Sequence, residues 1–156
     1  MFDLFNGLPI HPLVVHAVVV LLPLAVLGTL AIAVRPAWRR AHGVAVVACA
    51  AVATALVPVA TSSGEELEKR VGDPGTHAAL GDQLLWFAIP VLVLAVALVL
   101  LDRRTPRKAG GAAPRSTLLT AVAVLSVVAS LACAVQVYRV GDSGARAAWG
   151  DQVASK

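Results

Sequence analysis

The side chains in this chain best suited to chemistry are its four histidines, His11, His16, His42 and His77. The stretch His11-Pro12-Leu13-Val14-Val15-His16 stands at the mouth of the first long apolar run. A neutral imidazole is less costly to bury than a fixed charge, but both ring nitrogens still need partners. His16 lies about one turn inside the run. There it either hydrogen-bonds a neighbouring helix or ligates a metal or haem. On an ideal helix His11 and His16 point about 140° apart, so they do not grip one ion as an i,i+4 pair does. A pairing between helices suits them better. His16, or His11 in its place, and His77 would be the two axial ligands of a b-type haem. Depth works against this, since a helical approach puts His77 ~10 Å above Leu84.

Plainer roles stand beside these. His11 can occupy a helix N-cap with Pro12 at N1, where a missing N–H costs nothing. His77 can be a loop histidine, and His42 an interfacial residue opening the second run. Cys49 and Cys133 lie inside apolar runs at different depths, with no metal-type spacing, so neither a metal site nor a disulfide between them is expected. No nucleophile–base pair, phosphate loop or nucleotide fingerprint is present, and the chain reads as non-catalytic.

The elements that position these residues are membrane spans. Of 156 residues, 58% are hydrophobic and 14% charged, and the mean hydropathy is +0.81. A soluble domain is nearer 45–50% apolar and about 25% charged. Four runs, 12–34, 42–62, 84–101 and 118–140, are long enough at ~1.5 Å per residue to cross a bilayer. The fold class is therefore all-α, an integral membrane four-helix up-down-up-down bundle of one domain. Pro23 is a candidate kink in the first span. The second is rich in small residues, and Ser126, Ser130 and Ala134 form a small-residue stripe in the fourth. The third has no polar side chain except Trp86, which predicts a largely lipid-facing helix. Met1 to Pro9 holds no Lys or Arg, so a signal-peptide n-region is not expected.

The connections carry the charge. Arg35, Arg39 and Arg40 follow the first span. Arg103, Arg104, Arg107, Lys108 and Arg115 lie in a flexible basic loop over 102–117. The net charge of +4 therefore reflects orientation in the membrane and not nucleic-acid binding, and the positive-inside rule places both basic loops in the cytoplasm. Both termini and the acidic 63–83 loop then face outward. In that loop Glu65 with Lys69 and Glu66 with Arg70 have favourable i,i+4 spacing. The second helix should run about two turns past the membrane until Gly72-Asp73-Pro74-Gly75 breaks it. Gly141 reads as the C-cap of the fourth helix, ahead of a turn and a short surface helix. No internal repeat is convincing.

This topology gathers His11, His16, His77, Gln136, Tyr138 and Asp142 at the outer end. Tyr138, Arg139 and Asp142 are candidate structural or partner-docking residues, with Asp142 forming an ion-pair cluster with Arg139 and Arg146. No charged residue lies in the middle of a span, which argues against active transport.

Several of these segments resemble one family. They are His11-Pro12-Leu13-Val14-Val15-His16, Ser63-Gly64-Glu65, His77, and Val137-Tyr138-Arg139-Val140-Gly141-Asp142-Ser143-Gly144-Ala145. Together they are similar to bacterial membrane proteins grouped as domain of unknown function 2231. Relatives follow the second histidine with Phe-Pro, where this chain has Ala17-Val18. The resemblance implies a multi-pass, four-helix protein of the bacterial plasma (inner) membrane, supplies no activity, and leans toward haem or electron transfer through relatives attached to redox domains.

Two functions follow. One is a non-catalytic scaffold or accessory subunit with an outer His/Asp polar cluster. The other is a haem-binding or redox-associated protein using His11, His16 and His77, with a redox or respiratory partner in the membrane. A small-solute channel is a further alternative.

Overall fold

The computed structural model describes residues 4–5, 8–72, 74–104 and 117–154. A short antiparallel ladder pairs β1 (Leu4–Phe5) with β2 (Leu8–Pro9) just ahead of the first helix. Four long helices follow: α1 (Ile10–Val34), α2 (Trp38–Val71), α3 (Thr76–Arg104) and α4 (Thr117–Ala154). All four are long and apolar enough to cross a membrane. Pro23, Pro58 and Pro90 lie inside helices without ending them, as neighbouring helices permit within a bilayer.

The helices form a ring. α1 touches α2, α2 touches α3, α3 touches α4, and α4 returns to α1; α1 and α3 also meet across the ring. Leu22, Val57, Ala88, Val91 and Cys133 meet in one core cluster, and Ile32, Leu98 and Val99 centre a second. Close approach depends on missing side chains. A β-carbon on Gly43 would lie 2.5 Å from Val99 Cγ2, and one on Gly28 would lie 2.8 Å from Val46 Cγ2. Much of the outer surface is apolar: Val20, Leu27, Trp86 and Val135 are each at least 60% exposed. That is the surface lipid requires and water penalises.

About a third of the α3 span is buried in the bundle, so the helix faces both lipid and core. It buries Leu84, Ala88, Val91, Ala95, Leu98 and Val99 and ends on the buried carboxylate of Asp102. The smooth apolar sequence concealed this, because the helix is apolar on its lipid side as well as its core side.

The halves of the chain repeat one another. Counted from His11, six of the seven buried positions of α1 fall at the same separations as buried positions of α3 counted from His77. Val18 corresponds to Leu84, Leu22 to Ala88, Ala25 to Val91, Thr29 to Ala95, Ile32 to Leu98 and Ala33 to Val99, all buried. The second helices match in part when Ser63 is set against Ser143: Arg39 falls on Leu119, Ala50 on Ser130 and Ala53 on Cys133, all buried, whereas buried Gly43, Thr54 and Val57 fall on residues that are not. The repeat is invisible as residue identity, since almost any apolar or small side chain satisfies each position.

The ends are fixed differently. Between α2 and α3 the chain turns at Gly72 (φ 97°) and Gly75 (φ 63°), a backbone region that glycine enters without steric cost. At the opposite end, buried Arg39 donates from Nε to Ile32 O (2.8 Å) and from Nη2 to Ala33 O (2.9 Å). It thereby satisfies carbonyls in the last turn of α1. Asp102 lies 3.8 Å from Arg39 Nη1 and 3.4 Å from Arg40 Nε. α4 does not stop at Gly141; it continues to Ala154, so that glycine is a helical residue and not a C-cap. Cys49 and Cys133 are free thiols.

Candidate functional site: two equivalent histidines

His11 and His77 occupy corresponding places in the two halves. His11 lies in the first turn of α1, whose N-cap is Pro9. It is therefore not the N-cap, and its side chain turns to α2. The helix starts two residues earlier than Pro12 at N1 would place it, because Pro9 holds the extended conformation (φ −57°, ψ 133°) that precedes a helix. His11 Nδ1 lies 2.9 Å from Ala60 O and 3.2 Å from Ser63 Oγ. His77, in the first turn of α3, has Nδ1 3.1 Å from Val140 O and 3.4 Å from Ser143 Oγ. Ser63 donates its hydroxyl to Ala60 O, and Ser143 donates to Val140 O, both at 3.0 Å.

A carbonyl oxygen only accepts, so each Nδ1 carries the proton and shares it between carbonyl and serine. In a neutral imidazole with its proton on Nδ1, Nε2 is the acceptor. The arrangement is that of a histidine oriented to ligate, with the distal nitrogen held by a carbonyl so that the proximal one is fixed in tautomer and direction. The two imidazoles are also within electrostatic reach of one another. Each rests on a glycine of the neighbouring helix: a β-carbon would meet His11 Cε1 at 3.0 Å on Gly64, and His77 Cε1 at 2.9 Å on Gly144.

His16 is placed apart from this pair. Its side chain is exposed and shares a helix face with Val20 and Leu27, and its Nδ1 bonds Pro12 O of its own helix. His42 is at the far end of the bundle, edge-on to Trp38 with ring centres 5.8 Å apart; Arg35 lies over the same indole at 4.9 Å.

One turn deeper than His77, buried Gln136 donates from Nε2 to Leu80 O at 2.9 Å, tying α4 to α3. Arg139 Nη1 donates to Gln136 Oε1 at 3.4 Å. Asp142 binds Arg146 through both carboxylate oxygens, at 2.9 and 3.2 Å. The expected Asp142 cluster is thus a pair with Arg146 alone, because the i,i+4 spacing brings that guanidinium alongside while Arg139 turns toward Gln136. The carboxylate's hydrogen bond and charge raise the Arg146 pKa above its ordinary value. In α2 Lys69 pairs with Glu66 at 2.6 Å, an i,i+3 contact. Tyr138, Arg139 and Asp142 line one cleft of about 750 Å³ between α3 and α4, together with Thr76, Ser143 and Arg146.

Sequence reasoning paired His77 with His16 and kept His11 as the substitute, and it missed the groups that hold His11 and His77. The signal lay in the dipeptide Ser-Gly, present at Ser63-Gly64 and again at Ser143-Gly144. Serine orients the imidazole and glycine admits it.

No curated protein and no solved structure matched the chain. A family model described as "Predicted membrane protein (DUF2231)" matches residues 7–156. With helices of this length and apolarity, the protein is a multi-pass membrane protein. Through a match covering nearly its whole length, the chain belongs to the DUF2231 family of predicted membrane proteins.

Proposed function

We propose that His11 and His77 would hold a b-type haem, and that the protein is a redox-associated component of the membrane. The observation that carries this reading is the pairing itself: two imidazoles on corresponding turns, each held at Nδ1 by a carbonyl and offering Nε2. Among the described residues no group of three or more His, Cys, Asp or Glu stands together. A four-coordinate zinc site would therefore lack protein ligands, whereas a haem brings four equatorial nitrogens and needs only two more. Bound there, haem would supply one-electron exchange. The chain's own part is to present two neutral donors in fixed orientation within an apolar bundle.

The short links 35–37 and 72–75 make successive helices antiparallel, giving an up-down-up-down bundle. Arginines cluster after α1 and after α3, so the positive-inside rule sets those ends in the cytoplasm of a bacterial inner membrane. The histidine pair and both termini then face outward, where a redox or respiratory partner would meet them.

A second reading rests on the same bonds. Each histidine already fastens its helix to the next, so the pair can serve a non-catalytic scaffold with no cofactor. The visible spectrum of detergent-purified protein, expressed with haem supplied and measured oxidised and dithionite-reduced, separates the two. A Soret band that sharpens on reduction, persists in His16→Ala and is lost in His11→Ala and His77→Ala is the expected result. A flat spectrum leaves the scaffold.

A further inference from the structure

Four of the residues that line the cleft between α3 and α4 have no like counterpart in the other half. The positions matching Tyr138, Arg139, Asp142 and Arg146 in α2 are Pro58, Val59, Ser62 and Glu66. The frame shared by the two halves therefore does not require the cationic lining.

The charges within the cleft do not cancel. Arg146 is matched by Asp142, which occupies both prongs of its guanidinium. Arg139, two turns earlier on the same helix, donates only to the neutral amide of Gln136, through a long 3.4 Å contact, and has no carboxylate partner among the described residues. One positive charge is left over. Thr76 brings a hydroxyl at the first turn of α3, the end of the helix that favours anions. Tyr138 is 73% exposed and lies where the apolar run of α4 gives way to polar residues. An aromatic with a polar tip settles at the headgroup level of a bilayer. About 750 Å³ is more space than a lone phosphate fills and is suited to a lipid headgroup.

We infer that this cleft binds the phosphate of an anionic phospholipid headgroup. Arg139 supplies the charge, Thr76 and Tyr138 supply hydroxyl donors, and Asp142 sets the affinity by neutralising Arg146. The inference is independent of haem binding.

The test uses the full chain in detergent, titrated separately with phosphatidylglycerol, phosphatidylcholine and inorganic phosphate, with bound lipid counted by native mass spectrometry and stability followed by thermal unfolding. Wild type should retain phosphatidylglycerol over phosphatidylcholine. Arg139→Gln should reduce that preference about fivefold, the worth of one arginine at an anionic lipid surface. Asp142→Asn, which releases Arg146, should increase it. A gain of this kind does not arise from misfolding. An unchanged preference in both variants overturns the assignment. So does stabilisation by inorganic phosphate equal to that by phosphatidylglycerol, which would make the ligand a soluble anion.

Discussion

The imidazole of His77 fills the space where Gly144 would carry a β-carbon, 2.9 Å from Cε1 and 3.0 Å from Nδ1. The ring cannot retreat without leaving Val140 O. Gly144→Ala should therefore cost about 1–3 kcal/mol, the usual range for overpacking, and Gly64→Ala should behave similarly against His11. Gly141→Ala meets nothing within 4 Å and replaces a poor helix former, so it should be neutral or stabilising by up to ~1 kcal/mol. Thermal unfolding in detergent, with the three variants side by side, checks the contrast. Equal behaviour at positions 141 and 144 would remove the packing role given to glycine here.

At the other end of the bundle, Asp102 faces two arginines, one of them buried. Removing one partner of a buried pair leaves the other charge uncompensated, typically at 3–5 kcal/mol. Asp102→Ala should fall toward the lower bound, since Arg39 keeps its bonds to Ile32 O and Ala33 O. By contrast, Arg146→Ala breaks an exposed pair and should leave the melting temperature unchanged. A reversed order in a denaturant series would mean that the inner cluster is not what joins α1, α2 and α3.

Gln136 is the one buried amide between α3 and α4 among the described residues, and its partner is a main-chain oxygen. Gln136→Leu keeps the volume and loses the bond. Interhelical hydrogen bonds in membranes average about 0.6 kcal/mol and reach ~2 kcal/mol, so a loss of about 1 kcal/mol is expected. Steric-trap or denaturant unfolding would detect it, and a variant more stable than wild type would show that the amide is a burden.

A double-mutant cycle tests the tightest helix contact. Gly43→Ala brings a methyl to 2.5 Å from Val99 Cγ2 and should destabilise by about 1–3 kcal/mol. Val99→Ala should restore most of that loss, giving a coupling of ~1 kcal/mol or more. The other half already holds this solution, with Ala123 and Ala33 at the matching positions. Additive losses would separate α2 from α3 at this level.

The four helices were legible because lipid demands long apolar runs, and the break at Gly72-Asp73-Pro74-Gly75 because glycine and proline interrupt a helix wherever they cluster. The inward faces were not legible. In a soluble helix polar residues mark the outside, but here Val20 on the lipid side and Leu22 in the core are equally apolar, so periodicity cannot separate them. The same ambiguity hid which of His11 and His16 enters the bundle. They point far apart, and only the buried series Val18, Leu22, Ala25 continues upward to His11. Arg39 and Asp102 read as loop charges because each stands within a turn of a helix end, where a solvated and a buried side chain have the same sequence context. Gly141 looked like a stop because a glycine after an apolar run usually is one; Asp142 and Arg146 carry the helix past it.

The repeated register has a consequence for whatever lies between the two imidazoles. A ligand held there, as proposed, would meet the same donor twice, on the same kind of serine and glycine support, as at the interface of a homodimer of two-helix subunits. Around it the surroundings differ by half: Glu66 on one side corresponds to Arg146 on the other. The chain thus behaves as a dimer fused into one polypeptide, free to keep its shared centre symmetric while the two flanks diverge.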